Sequence, residues 1–156
     1  MKTLCVYCSR SGNTKQISET ISRELDAELV ELTDGKSRKG FFGYVSGVMD
    51  GWRTELLPLL PFETQYPLYE YQRIILAAPI WCDDLCPVAR SFLQEHASEL
   101  KGEIHVVLTH MDDRSFENMV SKAFEPYELH VTSILSVRTW KNDPTEEINE
   151  FIERLK

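Results

Sequence analysis

Glycine is scarce in this chain outside one stretch. Five of its seven glycines fall at 35, 40, 43, 47 and 51, which leaves only Gly12 and Gly102 elsewhere. The loop after the first apolar run therefore holds a single glycine. That excludes the dinucleotide fingerprint G-x-G-x-x-G, and the phosphate-loop spacing G-x-x-x-x-G-K-[ST] is absent as well. Long apolar runs are lacking, so no segment approaches membrane-spanning length. A single Lys followed directly by a strand does not read as a secretory leader. The four cysteines have no zinc-ligand spacing. A reducing cytoplasm is the expected compartment, and structural disulfides are not expected there. Basic residues are in deficit, 17 against 25 acidic, for a net charge of −8. That balance argues against a nucleic-acid binder, which needs a basic surface. It suits either simple solubility or an acidic face for a basic partner.

What is present begins with the loop Ser9-Arg10-Ser11-Gly12-Asn13-Thr14. Before it, Leu4-Cys5-Val6-Tyr7-Cys8 is apolar at consecutive positions, as in a parallel strand buried on both faces. After it, Ile17, Ile21 and Leu25 repeat every four residues, the stripe of an amphipathic helix. A loop so placed presents backbone N–H groups at a helix N-terminus, where they bind an anion. Ser9, Ser11 and Thr14 add hydroxyl donors, and Gly12 allows close backbone approach. The expected ligand group is a phosphate; an ordinary turn capped by Ser and Asn is the plainer alternative. A tyrosine-phosphatase loop is excluded, because six residues after Cys8 stands Thr14 rather than Arg.

The remainder alternates strand and helix. Strands are expected over 27–33, 74–80, 104–109 and 129–137, the first of them a half-buried edge. Helices are expected from Pro87 with Val88, Phe92 and Leu93 inward, and from a Ser115 cap with Phe116, Met119, Val120, Ala123 and Phe124 on one face. The last opens at Asp143-Pro144 and turns Ile148, Phe151, Ile152 and Leu155 inward. Five strands alternating with helices imply one α/β domain over 1–156, a parallel sheet wrapped on both sides. Its ligand is expected beyond the C-terminal strand ends, where the phosphate loop also lies. The crossover from 34 to 71 is long and glycine-rich. It carries Lys36, Arg38 and Lys39, then Phe41, Phe42, Tyr44 and Trp52. Those aromatics either pack beneath the crossover or face a substrate.

The third strand runs into Pro79-Ile80-Trp81-Cys82-Asp83-Asp84-Leu85-Cys86-Pro87. A Trp at a strand's C-terminal end is well placed to stack on a planar heterocycle, or simply to pack in the core. Cys82 and Cys86 flank the Asp pair, with Cys8 nearby; C-x-x-x-C is a weak redox signal, and free Cys commonly packs as a small hydrophobe.

With these two segments the chain resembles the short flavodoxin-like FMN proteins. Ser9 to Thr14 matches their [ST]-x-[ST]-G-x-T loop, and Pro79-Ile80-Trp81 with Pro87 and Phe92-Leu93 matches a P-I-W…P…F-L signature in one subgroup. The resemblance implies a flavodoxin-like three-layer sandwich of strand order 2-1-3-4-5 that binds FMN. Ser9 to Thr14 would hold the 5′-phosphate, and Pro79, Ile80, Trp81, Cys82, Asp83 and Asp84 would line the isoalloxazine. Two departures stand out. Asp83 occupies a place where such proteins often have glycine, although Asp tolerates positive φ better than most residues. After the fourth strand, Thr109-His110-Met111 replaces a Ser-Gly-Gly-like turn, so that His110 or Met111 would cover the pyrimidine side of the ring.

The function so implied is an FMN redox protein shuttling electrons between protein partners, at least one of them basic. The alternative is a small FMN-dependent oxidoreductase taking hydride from NAD(P)H and reducing a quinone-type acceptor. A remote third is a phosphocysteine carrier acting through Cys8. Neither nucleic-acid binding nor membrane insertion is expected.

Overall fold

The structure, a computed structural model, describes residues 1–35, 58–140 and 143–156. Lys36, Arg38, Lys39, Phe41, Phe42, Tyr44 and Trp52 lie outside the described residues. The elements run β1 (Thr3–Tyr7), α1 (Asn13–Leu25), β2 (Glu28–Glu31), β3 (Arg73–Trp81), β4 (Asp84–Leu85), α2 (Pro87–His96), β5 (Glu103–His110), α3 (Glu117–Phe124), β6 (Val131–Arg138) and α4 (Thr145–Leu155). The sheet order is β2-β1-β3-β5-β6, all parallel, with β4 pairing antiparallel to the end of β3. Setting β4 aside, this is the expected 2-1-3-4-5 arrangement.

Alternation along the strands divides the core into two. Leu4, Val6 and Cys8, Ile74, Leu76 and Ala78, and Ile104, Val106 and Leu108 face one side, with Val88, Phe92, Val120 and Phe124 of α2 and α3. Cys5, Tyr7, Ile75, Ala77 and Val107 face the other, with Ile17 and Ile21 of α1 and Ile148, Phe151 and Ile152 of α4. Burying each such Leu, Ile, Val or Phe is worth about 1.5–3 kcal/mol, which is why continuous apolar strands end up covered on both faces. Gly102, at the turn into β5, has a physical reason of its own. A Cβ there would lie 2.4 Å from the Tyr71 carbonyl oxygen, so only glycine fits against that backbone.

Two local expectations are corrected. The helix expected to be capped by Ser115 begins one residue later, with Phe116 at the N-cap position, and Ser115 Oγ accepts only a long 3.4 Å bond from the Glu117 N–H. Phe116 is drawn into the core instead, at 5% exposure. The short strand β4 was not expected, because two residues carry no periodicity.

His105 is a buried polar residue within β5, 2% exposed. Its Nδ1 shares a 2.7 Å hydrogen bond with Ser133 Oγ. Its Nε2 has no hydrogen-bond partner, and Glu103 Oε2 stands 3.7 Å away. Burial, aided by the Arg73 charge and opposed by Glu103, lowers its pKa below the ordinary 6.5. The folded protein therefore binds fewer protons here than the unfolded chain, and stability is lost as pH falls from about 6.5 through the lowered value. Melting temperature should fall between pH 7 and 5, and His105→Gln should flatten that slope. Parallel slopes for the two proteins would show that His105 contributes nothing to it.

Candidate functional site

β1, β3 and β5 end on the same side of the sheet, and a cavity of about 580 Å³ opens at those ends. Three chain segments line it: Arg10, Ser11, Asn13 and Thr14; Pro79 to Asp83; and Thr109, His110, Met111 and Asp112. Its size lies within the range of small-molecule and cofactor sites.

The first segment is built at the start of α1. Gly12 is the N-cap residue, with φ of 100°, a conformation costly for any residue bearing a Cβ. No side chain caps this helix, and its first turn contains no acidic residue. The first-turn N–H groups and the positive end of the helix dipole thus remain available to an anion. Ser9 lies just outside the cavity lining and shapes the loop, its Oγ accepting the Gly12 N–H at 3.1 Å. Ser11 in the loop and Asn13 at the first position of α1 are exposed. Thr14 is different: it is buried, and its hydroxyl pairs with that of Thr109 at 2.7 Å. This bond ties the helix start to the end of β5 and leaves one outward-donating proton between two hydroxyls.

The second segment is a tight hairpin. Ile80 pairs with Leu85 and Trp81 with Asp84, leaving Cys82 and Asp83 as the two loop residues. Both have positive φ, 51° and 64°, the type I′ pattern that matches strand twist. Asp is among the residues that tolerate this conformation, so Asp83 stands without glycine. Trp81 is half-buried: it packs against the core cluster and also lines the cavity. Asp84 faces away from the cavity lining; its carboxylate accepts the Leu85 N–H at 2.7 Å and stands 3.8 Å from Arg90.

The third segment is strapped to the loop after β6. Thr139 N–H donates to the His110 carbonyl at 3.0 Å, and Trp140 Nε1 donates to the Met111 carbonyl at 2.8 Å. The His110 ring packs on Phe116, centroids 4.7 Å apart, and its Nε2 shares a 2.7 Å bond with Ser136 Oγ. Burial, its largest cause, lowers the His110 pKa below 6.5, which favours the neutral imidazole at pH 7. Arg114 bridges the rim by binding both Asp83 and Asp112, and Arg138 pairs with Asp113. The acidic residues at this rim are thus largely matched by arginines.

Twelve of the fifteen residues singled out from the sequence line this one cavity; Ser9, Gly12 and Asp84 shape its surroundings without lining it. Asp112, Phe116 and Thr139 also line it and were not anticipated there. Thr139 follows the end of β6, so the rule that ligands sit beyond C-terminal strand ends was its available signal. Phe116 reads in sequence as an ordinary core position, and it serves both purposes.

Cys8 is 5% exposed and absent from the cavity lining, and burial pushes its thiol pKa well up. A thiol so covered and outside the cavity is out of reach of a phosphoryl-donor protein, so the phosphocysteine reading is set aside. Among the described residues, no cluster of His, Cys, Asp and Glu could hold a metal ion. Nor is any helix there long and apolar enough to cross a membrane.

No protein-family model matches the chain, and no curated protein matches it in sequence. Solved structures do. A flavoprotein from Lactobacillus acidophilus in complex with FMN is 21% identical, with 93% of this chain and 95% of that one covered and a TM-score of 0.67. A candidate flavoprotein from Bacteroides eggerthii is 14% identical, with coverage of 98% and 96% and a TM-score of 0.73. A short-chain flavodoxin associated with a bacterial microcompartment is 14% identical, with coverage of 98% and 95% and a TM-score of 0.55. The chain has the flavodoxin-like fold.

Proposed function

We propose that this protein binds FMN and shuttles electrons between protein partners. The observation that carries the reading is a single cavity that joins an uncapped helix N-terminus to a half-buried Trp81. A phosphate dianion suits the first and a planar heterocycle the second. The residues fit the group. The first-turn N–H groups of α1 and the Ser11 hydroxyl would bind the phosphate. Thr14 and Thr109 would set the position of that helix start. Trp81 would exclude water from one part of the ring, while His110 and Met111 would cover another. When bound, FMN supplies the redox chemistry, and the chain supplies binding, orientation and electrostatics. A similar fold in a Lactobacillus acidophilus protein that contains FMN supports the choice of cofactor.

The shuttle is favoured over the NAD(P)H oxidoreductase by charge. At −8 the protein repels anionic pyridine nucleotides and attracts a basic partner. Beside the cavity, Arg114 and Arg138 are held by aspartates rather than left to a dinucleotide phosphate. Purified protein should be yellow, and reductive titration should proceed in two resolved one-electron steps. NADH and NADPH should reduce it slowly, and electron transfer to a basic acceptor protein should slow steeply with added salt. Rapid, saturable NAD(P)H oxidation without a one-electron stage would install the oxidoreductase instead. A colourless protein that takes up no FMN would remove both.

A further inference from the structure

Two of the four cysteines stand together in the core cluster that Trp81 packs against. Cys8 Sγ lies 2.6 Å from Cys86 Sγ, although the residues are 78 positions apart in the chain. Both are buried, Cys8 at 5% and Cys86 at 1% exposure. Cys5 belongs to the core on the opposite face of the sheet, and Cys82 is exposed in the hairpin turn. A disulfide bond is about 2.05 Å long, and unbonded sulfurs rest much farther apart than this pair does. The two sulfurs are thus within reach of bond formation. The two positions are also adjacent to the site: Cys8 immediately precedes the 9–14 loop, and Cys86 is the N-cap residue of α2, just after the Trp81 hairpin.

We propose that Cys8 and Cys86 are a redox-active dithiol that closes into a reversible disulfide, cross-linking two of the segments that build the cavity. The assignment stands on these thiols alone and does not require the cavity's ligand. The oxidant is hydrogen peroxide, small enough to reach a nearly buried sulfur. One thiol gives up its proton and attacks a peroxide oxygen as the thiolate, the O–O bond breaks, a sulfenic acid forms, and the departing hydroxide takes up that proton and leaves as water. The second thiol attacks that sulfur, the S–S bond forms, the S–O bond breaks, and a second water leaves. Two thiols lose two electrons in total, peroxide gains them, and two waters result. A small dithiol reverses the change by thiol–disulfide exchange, becoming a disulfide itself. Burial of the Cys8 thiol opposes thiolate formation, so closure should quicken as pH rises.

The test uses the whole chain, treated with hydrogen peroxide, denatured, alkylated and weighed. Four cysteines accept alkylating reagent in the fully reduced protein. After oxidation Cys8 and Cys86 should accept none, and peptide mapping should recover them as one cross-linked pair. Because exposed Cys82 is oxidisable by itself, Cys82→Ser is run in parallel and should keep the cross-link. The oxidised protein should melt about 5–15 °C above the reduced one, since the bond closes a long loop. Cys8→Ser and Cys86→Ser should each abolish that difference, and dithiothreitol should reverse it. If either variant fails to fold, mapping of the unaltered protein still decides. Cys8 and Cys86 fully alkylated after peroxide, or a bond joining either one to Cys82, would overturn the proposal.

Discussion

Apo-protein should bind FMN at least about a hundredfold more tightly than riboflavin, with FAD weaker than FMN. The phosphate is the only difference between FMN and riboflavin, so the ratio reads the loop directly. An uncapped first turn on α1 and the Ser11 hydroxyl offer several charge-assisted bonds. Each hydrogen bond to a charged group is worth about 1.5–3 kcal/mol, so two of them correspond to roughly 10²–10⁴ in affinity. FAD carries a pyrophosphate that extends past a site suited to a terminal dianion. Variants sharpen the test. Ser11→Ala should weaken FMN about tenfold and leave riboflavin unchanged. Thr14→Ala should behave differently, because its hydroxyl is bonded to Thr109 at 2.7 Å. That change removes a buried bond holding the loop to β5, so both flavins and the melting temperature should suffer. Equal affinity for FMN and riboflavin in isothermal titration would refute a phosphate site at this helix.

Trp81→Ala should relieve the quenching of flavin fluorescence and weaken FMN by about 1–3 kcal/mol, on the scale of base–aromatic stacking. Trp81 lines the cavity from the end of β3, immediately before the type I′ turn. Its other side packs on the core, so truncation also leaves a partial void and lowers stability. Trp81→Phe separates the two effects: it keeps a stacking ring and most of the packing, and should retain most of the quenching and affinity. Trp140 is the control. It is 60% exposed, with its indole N–H held by the Met111 carbonyl, and it does not line the cavity. Quenching that survives Trp81→Ala and disappears in Trp140→Phe would move the stacking role to the other indole.

The sequence alone determined the doubly wound sheet, because fully buried parallel strands need consecutive apolar residues and their helices need a 3.6-residue stripe. Leu4 to Cys8, Ile74 to Ala78 and Ile17, Ile21 and Phe151 carry those signatures without reference to anything distant. It also pointed to three segments that prove to line one cavity, at the place where strands end and helices begin in such sheets. What only tertiary structure decided are relations between residues far apart in the chain. Thr14 and Ser11 look alike in sequence; the end of β5 takes one hydroxyl and leaves the other exposed. Cys82 and Cys86 form only a weak C-x-x-x-C signal in sequence; the hairpin turns Cys82 to solvent and sets Cys86 against Cys8. Phe116 reads as a helix-face residue, and the path of α3 places its ring against His110 at the cavity wall. Periodicity reports which face of an element is buried; which side chains meet across that face depends on how the elements pack, and no local pattern records it.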